Sequence, residues 1–182
     1  MRVYFDTGVF IDYLSSRGPA QIQRTGERRG RTPADLRAHA ERLFGRVSLA
    51  HKGATSCLTF YEAEEALYAR LKESTKGVSH AEKLLIPAAR PIAIQLQVVI
   101  EIFKISVLDL TPGTIRLHLG QVELQKRGVR AADALHAASA IAYDADLLVS
   151  TDDSLLQLDG VLTNAQAKTI ICRDTDSAVD LL

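Results

Sequence analysis

A three-layer α/β/α fold around a central, mainly parallel sheet of about five strands is predicted by three features of this chain. Short β-like runs alternate with helical segments. The segments between runs are long enough to be crossovers, and acids stand where several runs end. Strands that alternate with helices pair in parallel through right-handed connections. In such a sheet a ligand site lies beyond the carboxyl ends of the strands.

The elements follow in order. Residues 2–6 (RVYFD) form a short strand, and 8–15 (GVFIDYLS) a helix with Val9, Ile11 and Leu14 apolar. Residues 16–33 (SRGPAQIQRTGERRGRTP) have little periodicity and read as a long insertion. A helix resumes at about Ala34 and runs to Val47, with Leu36, Ala40, Leu43 and Phe44 at helical spacing. Residues 54–58 (ATSCL) make a second strand and 60–73 a helix. Residues 79–104 give one or two helices interrupted near Pro87 and Pro91. ISVLDL, 105–110, is the third strand, and 111–128 is a capped helix ending at Gly128. ADALHAASAIAYDA is a further helix, LLVST the fourth strand, DDSLLQL a short helix and KTIICR the fifth strand.

With 182 residues, 47% of them hydrophobic, the chain can bury one sizeable core, so 1–182 is expected to be a single domain. No stretch reaches the ~18–20 unbroken apolar residues of a membrane span. The start, MRVYFDTGVF, sets an acid where a signal peptide would be apolar and has no small-residue cleavage site; the expectation is a cytoplasmic protein. Cys57 and Cys172 each lie in a β-like run and read as small core residues, because no CxxC or Cys/His spacing surrounds them.

Net charge is zero, 22 basic against 22 acidic residues, so the overall field gives no sign of nucleic acid. Distribution says more. Arg17, Arg24, Arg28, Arg29, Arg31, Arg37, Arg42 and Arg46 are opposed in that stretch only by Glu27, Asp35 and Glu41. This Arg-rich insertion, about 16–46, reads either as a phosphate-facing surface or as a solvated loop and helix face.

Four acids occupy the strand-end positions: Asp6 after the first strand, Glu62 one turn into the helix after the second, Asp133 at the head of the alanine-rich helix, and Asp152 after LLVST. Like charges brought together raise one another's pKa unless a cation intervenes. Hard oxygen ligands without a His/Cys set suit Mg²⁺ or Mn²⁺ better than Zn²⁺. Each acid also has an ordinary reading. Thr59 and Glu62 fit a capping box, Asp133 and Asp152 favour helix N-termini, and Asp6 fits a strand-end turn. His136, three residues after Asp133, reads first as a packed or hydrogen-bonded side chain and only second as a general base. Lys126, Arg127 and Arg130 are open to RNA steering or to plain solvation.

YFDTGVFIDYL, TSCLTFYEAEEAL, AADALHAASAIAYDADLLVSTDDSLL and the closing KTIICR together resemble the PIN-domain ribonucleases, most of all the VapC-type toxins of toxin–antitoxin pairs. The resemblance covers nearly the entire chain, and its third piece is the most specific. It implies that Asp6, Glu62, Asp133 and Asp152 are metal-binding acids, that Ser150 is the small hydroxyl residue before the last acid, and that Thr7 is the hydroxyl residue after the first. It further implies a Mg²⁺- or Mn²⁺-dependent cut of RNA leaving 5′-phosphate and 3′-hydroxyl ends, a homodimer, and a small antitoxin whose tail enters the acidic groove. The chain departs from the pattern in the length of 16–46, which bears on the choice of RNA, and in having Asp153, Glu64 and Glu65 as neighbouring acids. Glu65 shares a helix face with Glu62 at i+3.

Three rivals remain. An aspartyl phosphotransferase of the haloacid-dehalogenase type expects a second acid two residues after the first, and here that position is Gly8. The others are a PIN-like nuclease of RNA maturation or decay without an antitoxin, and a PIN-like module that binds RNA without cutting. With no Trp and ten Phe and Tyr in all, several of them in apolar runs, RNA read by shape and backbone is favoured over base stacking.

Overall fold

Alternation in the first strand sets the layers. In β1 (Arg2–Phe5) Val3 and Phe5 point to one side of the sheet and Tyr4 to the other, as period-2 geometry requires. The structure, a computed structural model, describes residues 1–14 and 28–182. Arg17, Arg24 and the first part of the Arg-rich insertion lie outside the described residues.

After β1 come α1 (Thr7–Leu14), α2 (Pro33–Ala50), β2 (Lys52–Ser56), α3 (Leu58–Ser74), α4 (Glu82–Ala89), α5 (Pro91–Ile102) and β3 (Ser106–Leu108). Then follow α6 (Pro112–Gly120), α7 (Val122–Lys126), α8 (Ala131–Ala142), β4 (Leu147–Val149), α9 (Asp153–Leu156), β5 (Ile171–Arg173) and α10 (Thr175–Leu181). The five strands form one parallel sheet in the order β3-β2-β1-β4-β5. β1 is central, pairing Val3 with Gly53 on one side and with Leu147 on the other. The predicted fold class is therefore the observed one.

Two cores sandwich the sheet. On one side Val3, Phe5, Leu147 and Val149 pack against α1, α2, α3, α5 and α10. Here Phe44 touches Phe5, Phe10, Tyr13 and Phe103, with ring centroids 5.0–5.6 Å apart. Gly53 belongs to this packing, because a Cβ there would lie 2.9 Å from the Phe5 ring. On the other side Tyr4 and Leu148 meet the alanine face of α8, together with Leu124, Leu155 and Leu158. Small residues let that helix sit close to the sheet.

Local chemistry moved several boundaries. α2 starts at Pro33 because Thr32 and Asp35 cap it reciprocally, and it runs past Val47 to Ala50. β2 begins at Lys52, so Cys57 lies outside it, at the N-cap of α3, while Cys172 is buried in β5. The capping box read at Thr59 and Glu62 does not form: α3 begins at Leu58, which leaves Thr59 inside the helix and frees the Glu62 side chain. β3 is an edge strand of only three residues, shorter than the predicted run. The predicted helix over 111–128 splits at Gln121. α10, capped by Asp174, was not anticipated.

The stretch Lys83–Ile102 is long and apolar enough, by length and composition, to pass as a membrane span, and 33% of it is buried. Arg90 and Pro91 divide it into α4 and α5. Leu85, Ala89, Ile92, Leu96 and Val99 are buried, whereas Leu84, Ile86, Ile94, Val98 and Ile102 face outward.

Candidate metal centre

Asp6 follows the last residue of β1, and the backbone immediately grips its side chain. The Thr7 N–H donates to Oδ1 at 2.7 Å, and the Ser150 hydroxyl donates to Oδ2 at 2.7 Å. Ser150 sits at the end of β4, next to β1 in the sheet, so the pairing of two strands delivers this contact. The same hydroxyl accepts the Asp152 N–H at 3.0 Å. One serine thus links the first acid to the fourth.

Glu62 comes from the second turn of α3. Its carboxylate accepts from the Thr7 hydroxyl and lies 2.7 Å from His136 Nε2. His136, one turn beyond Asp133 on α8, is fully buried; its Nδ1 lies 2.7 Å from the Tyr4 hydroxyl, and Nε2 is 3.6 Å from Asp6 Oδ1. Ligand atoms of Asp6, Glu62 and His136 all fall within 4.8 Å of one another. This is the inner half of the site.

Asp133 and Asp152 make the outer half, joined by Ser154. The Ser154 hydroxyl donates to Asp133 at 2.9 Å, and the Ser154 N–H donates to Asp152 at 2.7 Å. Asp152 is therefore an N-cap of α9, as its ordinary reading held, and its charge is also felt by Asp133. Burial raises the pKa of Asp133, and the charges of Asp152, Asp6 and Glu62 add to that rise against the Ser154 hydrogen bond. A carboxylate disfavoured by its acidic neighbours marks a place that lacks positive charge.

His136, when protonated, supplies part of that charge. Burial works against its cation, but the Glu62 hydrogen bond and the fields of Asp6, Glu62 and Asp133 prevail and raise its pKa. For Glu62, burial pushes upward and is outweighed by His136 and Thr7, so its pKa is lowered. Tyr4, buried behind the imidazole, is pushed up chiefly by desolvation.

The carboxylates of Asp6 and Glu62 fit a divalent cation at the C-terminal edge of the sheet, with the charges of Asp133 and Asp152 coupled to them, while His136 Nε2 is taken up by its hydrogen bond to Glu62 and acts as a partner to that acid. The sequence reading missed His136 as a member of the inner cluster. The i+3 spacing from Asp133 was visible, but spacing does not separate a packed imidazole from one aimed into a site.

Neighbouring candidates go elsewhere. Glu64 and Glu65 line a groove with Tyr61, Tyr68, Ile86 and Arg90 between α3 and α4. Asp153 pairs with Arg29. Lys126 and Arg127 form exposed ion pairs with Glu123 at the end of α7. Arg28, Arg29 and Arg31 are part-buried ion-pair partners of Asp12, Asp174, Asp153 and Asp176, and so present neither a free phosphate-facing surface nor a merely solvated one. Burial pushes the Cys172 thiol up to about 12, which leaves it inert.

Gly8 has a steric reason to be glycine. A Cβ there would come within 1.9 Å of Thr151 Oγ1, so the first turn of α1 can press on the β4–α9 loop only without a side chain.

No family model and no curated protein match this chain. A crystal structure of VapBC2 from Rickettsia felis bound to a DNA fragment from its promoter contains a similar chain, with a TM-score of 0.51 and 14% sequence identity over 96% of this chain and 98% of that one. At that identity the likeness concerns the course of the backbone, and with the five-stranded parallel sheet it gives this chain a PIN-like α/β fold.

Proposed function

We propose that this chain is a cytoplasmic, single-domain endoribonuclease that requires Mg²⁺ or Mn²⁺, and the toxin member of a toxin–antitoxin pair. The observation that carries the reading is the convergence of Asp6, Glu62 and His136 at the strand ends, with Asp133 and Asp152 beside them. Asp6, Glu62, Asp133 and Asp152 would hold the metal. When bound, the cation supplies Lewis acidity toward a phosphodiester and lowers the pKa of water.

The protein's own groups orient and hold protons. Ser150 and the Thr7 N–H fix both oxygens of Asp6. Tyr4 braces His136, whose Nε2 proton lies against Glu62. Ser154 sets Asp133 and Asp152 relative to each other. No side chain needs to act as a nucleophile.

Partner binding draws support from the fold likeness to a VapBC2 chain and from the exposed apolar residues Leu84, Ile86, Ile94, Val98 and Ile102. An acidic groove would also attract a basic antitoxin tail. One observation favours a second reading: the His136 imidazole is hydrogen-bonded to Glu62 at 2.7 Å, so the cluster is held together by its own groups and is also compatible with a PIN-like module that binds RNA without cutting.

The test is cleavage of total RNA by the purified chain with Mg²⁺ or Mn²⁺, beside EDTA and Asp133→Asn controls. Activity lost in both controls supports the nuclease. RNA binding with no cleavage by folded, antitoxin-free protein favours the module.

A further inference from the structure

The three arginines that close the insertion are built into a tight turn. Arg28 and Arg31 exchange two backbone hydrogen bonds, at 3.0 and 3.1 Å, and Arg29 and Gly30 at the tip have φ of 52° and 73°. Paired positive φ values are what a two-residue hairpin turn demands. The turn delivers all three guanidinium groups to Asp174, the buried N-cap of α10. Arg28 also reaches Asp12, fully buried in α1, at 2.8 Å. This end of the network is an anchor shared by two helices.

Arg29 reaches the other way. One of its nitrogens lies 2.5 Å from Asp174 and the other pairs with Asp153. Asp153 opens α9 and stands between Asp152 and Ser154, the residue whose hydroxyl holds Asp133. A four-residue helix cannot fix itself, because so short a segment is unstable without tertiary contacts. Buried Leu155 holds one face of α9 to the core, and Arg29 ties down its first residue.

We propose that Arg29 is a positioning residue for the outer half of the metal centre: by bridging Asp174 to Asp153 it fixes where Asp152 and Ser154, and through Ser154 Asp133, stand against Asp6 and Glu62. The inference rests on the metal reading above. It makes a claim opposite to simple electrostatics. A cation near an acidic site repels a metal ion, so its removal by charge alone would tighten metal binding. As a positioning residue, Arg29 must instead favour binding.

The experiment is titration of Mn²⁺ into EDTA-treated, dialysed protein by calorimetry, for wild type, Arg29→Ala, Asp153→Asn, the double variant and Arg29→Lys, with a thermal melt of each. The expected result is affinity weakened about tenfold in each of the first two variants. The double variant should be no weaker than the worse single one, since both remove the same bridge. Arg29→Lys should recover part of the loss, because an ammonium keeps a charge but not the two-sided fork. Mn²⁺ binding by wild type with equal or tighter binding by Arg29→Ala overturns the positioning role and leaves the metal reading standing. A wild type that does not bind Mn²⁺ overturns both. Should Arg29→Ala fail to fold, Arg29→Lys decides in its place, because it keeps the charge and loses the two-sided fork: weaker Mn²⁺ binding than wild type supports the positioning role and unchanged binding overturns it.

Discussion

His136 Nε2 stands 2.7 Å from Glu62 Oε2, with the imidazole fully shielded from solvent and Tyr4 behind it. A buried charge without a partner is expensive, so this pair both stabilises the metal-free protein and holds the second acid in place. The consequence is a linkage between folding and pH at the centre of the site.

The sign of that linkage follows from the two shifts. The folded pKa of His136 is raised, so its contribution is full below the ordinary 6.5 and is lost as pH rises through the folded value. That of Glu62 is lowered, so its contribution is present above the ordinary 4.5 and is lost as pH falls through the folded value. The pair stabilises most between about pH 4.5 and 6.5. Metal-free protein should therefore melt lower at pH 8.5 than at pH 6, and His136→Ala, which leaves Glu62 with the Thr7 hydroxyl but no cation, should cost about 3–5 kcal/mol at pH 6. Melts across that range check both statements, and a profile identical in wild type and variant would falsify the assignment.

Asp133→Asn should separate stability from activity. The carboxylate is disfavoured by burial and by Asp152, Asp6 and Glu62, and an amide still accepts the Ser154 hydroxyl. Where Asp133 is ionised and no metal is bound, the variant is expected to melt higher than wild type, while RNA cleavage falls by about 100-fold or more, the scale of a lost metal ligand or of its orienting partner. A lower melting temperature with intact cleavage would contradict the crowded-acid account.

Gly8→Ala tests the close approach of α1 to the β4–α9 loop. Since the new methyl group meets the Thr151 hydroxyl and Cβ, overpacking should cost about 1–3 kcal/mol and displace the loop that carries Asp152. Adding Thr151→Gly removes the opposing side chain and should restore most of the loss. Denaturant melts of the single and double variants measure it; no rescue would place the clash elsewhere.

Much of this was legible from the residues. Alternating runs gave a parallel sheet, and a parallel sheet brings Asp6, Ser150 and Asp152 to one edge whatever their separation along the chain. Glu62 was found as an acid but with an ordinary explanation that fails, because α3 starts at Leu58 and Thr59 falls inside it. That two-residue difference lies below what propensity resolves. Arg28, Arg29 and Arg31 read as a charge run because their partners Asp12, Asp174, Asp153 and Asp176 come from α1 and the far end of the chain. Pairing across such distances is a tertiary fact with no local signal. α10 is short and carries two acids, so neither its length nor its composition announced it.

The outward face of α5 supports a last prediction. Ile94 and Val98 are one turn apart, 70% and 48% exposed, and Ile102 continues the row on the next turn. An apolar row of this kind is more than scattered surface residues require. Self-association through this face would bury it. Ile94→Asp with Val98→Asp should convert a dimer to a monomer in light scattering. Because both side chains are exposed, the monomer should lose no more than about 0.5 kcal/mol of folding stability each. RNA cleavage per chain should then be unchanged, unless the second copy also shapes the groove. A wild-type chain that stays monomeric at high concentration would leave the row to a different protein, and the same double variant would then lose that partner in a co-purification.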